Sequence, residues 1–73
     1  MNRPTQITRM GENEFKVVQL DFKCEWIPFP SYMSVTSLEG WLYTRGIFDS
    51  DPLGWQKMRA LQPGETAQVN LIY

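Results

Sequence analysis

The sequence predicts a single small α+β domain, with one helix packed on a small antiparallel or mixed sheet in the order strand, helix, strand, strand. A flexible N-terminal arm precedes it. Three observations carry this expectation. Val18 to Trp26 alternates apolar and polar residues without a break, the period of a half-buried strand. Thr36-Ser37-Leu38-Glu39 has the spacing of a capping box. Gln62-Pro63-Gly64-Glu65 carries a type II turn signature ahead of a second alternating run.

Residues 1–13 are polar, contain Pro4 and Gly11 and hold no sustained period, which reads as a mobile arm ahead of a domain over 14–73. The first strand is expected from about Phe15 to Ile27. Val18, Leu20, Phe22, Cys24 and Trp26 share its apolar face, while Gln19, Asp21, Lys23 and Glu25 share a solvated one. The adjacent Val17-Val18 pair marks either a bulge or a stretch covered on both sides. Pro28 and Pro30 remove amide donors and close the strand with a stiff connection.

The helix starts at Thr36, whose side chain would accept an amide hydrogen while Glu39 reaches back. Leu38, Trp41 and Leu42 form its apolar stripe, Arg45 suits its C-terminus and Gly46 supplies the left-handed residue that ends it. Gly40 weakens it by ~1 kcal/mol relative to Ala, so tertiary packing must hold it. Asp49-Ser50-Asp51-Pro52-Leu53-Gly54 reads as a turn-rich loop. Trp55 to Leu61 fits a second strand, although Trp55, Met58 and Leu61 also fit a helical spacing. The turn at 62–65 favours the strand, because Ala67, Val69, Leu71 and Tyr73 alternate after it and complete a hairpin.

A chain of 73 residues makes one domain. At that size roughly 60% of the unfolded surface is buried, leaving ~3–5 kcal/mol of stability. Three Trp, three Tyr and four Phe supply large rings that can close such a core. Seven basic and eight acidic residues give a net charge of −1 with no basic cluster, which argues against binding along a phosphate backbone. A single Cys forms no internal disulfide, and Cys24 on the apolar face reads as a buried, inert thiol of a cytosolic protein. No apolar run reaches the ~18 residues of a membrane span, and none follows Arg3 as a secretion signal would require.

Catalytic constellations are not found. The chain has no His, and one Cys without His excludes the usual zinc sets. Ser31, Ser34, Ser37 and Ser50 lack a recognisable activating base. Asp49 and Asp51 flank Ser50, but Pro52 follows where a calcium loop would continue with oxygen ligands. A Glu39/Asp49/Asp51 acid pair has no supporting pattern. Neither an enzyme nor a cofactor is expected. Base stacking is also disfavoured, since the strand face with Phe22 and Trp26 bears no basic residue.

Phe29, Tyr32, Trp41, Tyr43, Phe48 and Trp55 exceed what one inner surface can hold, so some of these rings are expected outside. Exposed Trp, Tyr and Arg are the material of protein-binding hot spots. The candidate partner-binding residues are Trp41, Tyr43, Arg45, Phe48 and Trp55, with Arg3 and Arg9 of the arm as a second contact.

From its Met1-Asn2-Arg3-Pro4 start to its Asn70-Leu71-Ile72-Tyr73 end, the chain resembles the small RNA polymerase-binding transcription regulators of lytic Xanthomonas phages, which act in host shutoff and antitermination. The resemblance rests on overall sequence and size, so no residue's role is carried over. It implies a protein of the host bacterial cytoplasm, acting as a monomer. That protein would bind the polymerase β′ subunit near its N-terminus, beside the RNA exit channel, inhibit initiation and act as an antiterminator. It would need no direct contact with nucleic acid. The competing expectation is a phage-type inhibitor of another host complex, such as a nuclease or defence system. A first strand lying at a sheet edge would add another mode, strand addition from the partner.

Overall fold

A computed structural model describes residues 3–20, 23, 25–27 and 29–72. Within them the order is β1 (Arg3–Gly11), β2 (Glu14–Gln19), β3 (Ser31–Met33), α1 (Val35–Thr44), α2 (Ile47–Ser50), α3 (Pro52–Arg59) and β4 (Thr66–Leu71). The four strands form one antiparallel sheet in the order β3-β2-β1-β4. The helices cover one face, so the α+β class and the layering of helix on sheet hold. The detailed order of elements does not.

The largest correction concerns the expected arm. Arg3–Gly11 is a central strand, paired with β2 on one side and β4 on the other, and Ile7 at its middle is fully buried. Its sequence hides this because a strand laddered on both sides gains from its backbone rather than from large side chains. Thr5, a polar residue at a core position, is buried and donates its hydroxyl to the Arg3 carbonyl at 3.3 Å. Pro4 sits near the strand start, where its carbonyl accepts the Leu20 amide. Met1 and Asn2 lie outside the described residues.

The second correction inverts a face. Cross-strand partners in an antiparallel sheet share a side, and the register pairs Ile7 with Val17 and Ala67, and Thr5 with Gln19 and Val69. Phe15 and Val17 therefore face the helices and are buried, while Val18 points to the opposite side and is half-buried. The β1/β2 register is unbroken from Gln19 to Phe15, so the Val17-Val18 pair marks no bulge, and Val18 lies half-buried on the face that carries no helix. The strand also stops at Gln19. The chain doubles back through an antiparallel bridge between Leu20 and Trp26 and a hydrogen bond from the Ile27 amide to the Gln19 carbonyl at 2.8 Å. Trp26 is 41% exposed, not core. Asp21, Phe22, Cys24, Pro28 and Tyr73 lie outside the described residues. β2 is an inner strand, flanked by β1 and by β3 or Ile27.

The α1 cap lies two residues before the expected one. Ser34 is the N-cap, accepting the Ser37 amide at 3.2 Å, and Asn13 of the β1–β2 turn accepts the Val35 amide at 2.9 Å. The other end is as expected: Arg45 is the C-cap and Gly46 takes φ +75°. The interval read as loop and strand is helical instead. Asp51 accepts the Gly54 amide at 2.9 Å and Pro52 occupies the first turn, so Asp51-Pro52 starts α3. The helical spacing of Trp55, Met58 and Leu61 prevails over the strand, so this segment forms no hairpin with β4. The turn before β4 forms as the motif requires, with Gly64 at φ +91° and the Glu65 amide on the Gln62 carbonyl at 2.9 Å.

The core lies between the layers. Ile7, Phe15, Val17, Val69 and Leu71 of the sheet meet Leu38, Leu42, Ile47, Met58 and Leu61. Each large aliphatic fully removed from water contributes about 1.5–3 kcal/mol. Gly54 lets α3 lie close on β4: a Cβ there would come within 2.8 Å of a Val69 methyl and 2.5 Å of the Asp51 carboxylate.

Candidate partner-binding surface

At ~100° per residue, the inward Leu38 and Leu42 put Glu39 and Tyr43 on one flank of α1 and Trp41 on the other. The same count on α3, from inward Gly54 and Met58, puts Trp55 and Arg59 on one flank and Leu53 and Lys57 on the other. The Glu39–Tyr43 and Trp55–Arg59 flanks face each other across a cleft: Glu39 and Arg59 line one pit, and Phe48 of α2 bridges Tyr43 to Trp55.

Three rings meet across this cleft. Tyr43 and Phe48 are edge-on with centroids 5.9 Å apart, and Phe48 and Trp55 are tilted at 4.8 Å. Such pairs are worth about 0.5–1.5 kcal/mol beyond their buried area. Tyr43 is 68% and Phe48 47% exposed, while Trp55 is half-buried against the core. The cluster is thus rigid at its root and open at its surface. Arg59 adds a guanidinium over the Trp55 ring, 5.9 Å from its centroid. At the far end of the cleft Arg9, Phe15, Val35, Glu39, Met58 and Arg59 line a pit of about 170 Å³.

Of the residues expected from the sequence, Tyr43, Phe48 and Trp55 come together. Trp41 and Arg45 do not join them. Arg45 turns back over the Trp41 ring at 4.2 Å, with bonds to the Trp41 carbonyl and the Thr44 hydroxyl, forming a separate pair on the other flank. Arg3 and Arg9 are strand residues and form no arm. The Arg9 guanidinium bonds the carbonyls of Gly11 at 2.9 Å, Leu61 at 2.7 Å and Glu12 at 3.2 Å, so it ties the β1–β2 turn to the end of α3. Arg3 pairs with Leu71 across the sheet.

Asp51 and Ser50 hold structure together. Asp51 bonds the amides of Gly54 and, at 3.1 Å, of Asn70; Ser50 bonds the carbonyls of Gly46 at 3.0 Å and Asn70 at 2.6 Å. Together they cap the outer edge of β4. Among the described residues no group of three His, Cys, Asp or Glu side chains is placed to hold a metal ion. Among them, too, no helix is long and apolar enough to cross a membrane. Nothing in an extended reading of 55–61 marks Arg59 as a site residue. Its signal is the i, i+4 spacing from Trp55, which appears only once the segment is helical.

A second set of rings lies elsewhere. On the sheet face away from the helices, Tyr32 is 58% exposed beside Lys16 and Val18, and Trp26 continues this face through its bridge to Leu20. Phe29, in the connection before β3, is 82% exposed. No protein-family model, curated protein or solved structure matches the chain.

Proposed function

We propose that the protein binds host bacterial RNA polymerase through the Tyr43–Phe48–Trp55 surface, inhibiting transcription initiation and acting as an antiterminator. The observation that supports a binding role is the contact between these three rings, rooted in the core yet open to solvent and bordered by an arginine. Contiguous aromatic anchors with a neighbouring guanidinium are what interface hot spots consist of. The choice of polymerase follows from the sequence resemblance, which points to the β′ subunit near its N-terminus and the RNA exit channel, in the host cytoplasm.

Binding alone is sufficient for both effects. A ligand that prefers polymerase states lacking an initiation factor shifts the enzyme away from initiation by mass action. The same ligand beside the exit channel hinders formation of a terminator hairpin by occupying space. A standard interface takes about 800 Å² from each partner, about a sixth of the 4806 Å² that this chain exposes. One face of the molecule can supply that area.

The test is co-purification of the tagged chain with host core polymerase at micromolar concentration. A stoichiometric complex that is lost on Phe48→Ala is expected. No complex with core polymerase would end the polymerase reading. Recovery of a nuclease or defence complex instead would redirect the same surface to another host target.

A further inference from the structure

We infer that the cleft between α1 and α3 seats a peptide segment of the partner, with one aliphatic side chain in the pit and a neighbouring carboxylate on Arg59. This deepens the proposed binding role and rests on it for the partner's identity, though not for the chemistry of the cleft. The pit's 170 Å³ falls below the ~300–1,000 Å³ of a site that encloses a whole small molecule. It suits one branched aliphatic group. Its apolar wall is Phe15, Val35 and Met58, and its rim is Arg9, Glu39 and Arg59.

The two rim arginines differ. Arg9 is committed to three carbonyls. Arg59 is exposed, lies over the Trp55 ring at 5.9 Å and has no carboxylate or carbonyl partner among the described residues. A guanidinium held only by a ring at this distance keeps its N–H donors available, in the fork geometry that fits a carboxylate. Glu39 on the α1 rim repels a second anion, so the acidic group is directed to the α3 side. Beyond Arg59 the rings of Trp55, Phe48 and Tyr43 continue the groove, which favours an extended segment over a free amino acid.

The experiment titrates the ¹⁵N-labelled full chain with two synthetic peptides, Ac-Asp-Leu-Leu-Asp-NH2 and Ac-Lys-Leu-Leu-Lys-NH2, and follows amide shifts. The acidic peptide should move Val35, Glu39, Met58 and Arg59 with a Kd on the order of 1 mM, and the basic one should bind about tenfold more weakly. Arg59→Glu, an exposed change that leaves the spectrum dispersed, should reverse that order. Val35→Phe, which narrows the pit, should weaken both. The inference is overturned if neither peptide shifts these amides or if Arg59→Glu leaves the ranking unchanged. Core polymerase then separates the two levels. Cleft shifts with no polymerase complex would defeat only the choice of partner, whereas equal polymerase binding by wild type and Arg59→Glu would defeat the cleft as its seat.

Discussion

The helix layer and the open sheet face both expose aromatic rings, but they organise them differently. On the helix side Tyr43, Phe48 and Trp55 touch in series, rooted in the core, with Arg59 and a pit beside them. On the sheet side Trp26 and Tyr32 share a face with the polar Gln6, Thr8, Lys16, Gln68 and Asn70, and among the described residues no two rings there stack. Exposure alone is common on protein surfaces. Contiguity, rigidity and a flanking cation distinguish a surface able to anchor a partner.

The largest effect should come from removing two rings at once. Tyr43→Ala with Phe48→Ala should cut partner affinity by about 100-fold or more, at the scale of ~2 kcal/mol or above for each hot-spot residue. Tyr32→Ala with Val18→Thr on the sheet side should change it by less than about threefold. Titration calorimetry of the two pairs against the captured partner decides between the faces. A loss confined to the sheet variants would reverse the assignment.

Next in size is Gly54→Ala, which inserts a methyl between α3, Asp51 and Val69. Overpacking of this kind costs about 1–3 kcal/mol. Urea unfolding should show that loss, and amide shifts should concentrate in α3 and the ring cluster while the outer sheet face is spared. Ser34→Ala removes the α1 cap and should cost about 1 kcal/mol in the same measurement. The smallest effect is expected for Arg45→Ala. It breaks a half-buried cation–π contact with Trp41 worth about 0.5–1 kcal/mol, on the flank away from the ring cluster, and should leave partner affinity nearly unchanged.

What the sequence disclosed follows from the same physics. The β4 alternation, the 62–65 turn and the Gly46 helix stop are local signals, and each stands as read. Tyr43, Phe48 and Trp55 were legible as surplus rings, though not as one cluster, because their meeting depends on α2 and α3. The uninterrupted alternation of Val18 to Trp26 misled for a specific reason. Only Val18 and Gln19 of the run lie in β2 before the chain doubles back, and period two says that one face differs from the other, not which is inward; here the helices cover the face of Phe15 and Val17. β1 was hidden by its composition: Thr5 is as buried as Ile7, and no count of apolar residues finds a strand held by ladders on both sides. The 55–61 interval is ambiguous by spacing, and Asp51-Pro52, which also suits a turn-rich loop, resolves it as a helix start.

Site-specific photocrosslinking on core polymerase tests the central claim most directly. With p-benzoylphenylalanine in place of Phe48 the protein should crosslink to β′ near its N-terminus, and with the same group in place of Tyr32 it should not. A crosslink from position 32 with none from position 48 would contradict the assignment of the helix-layer surface as the binding face.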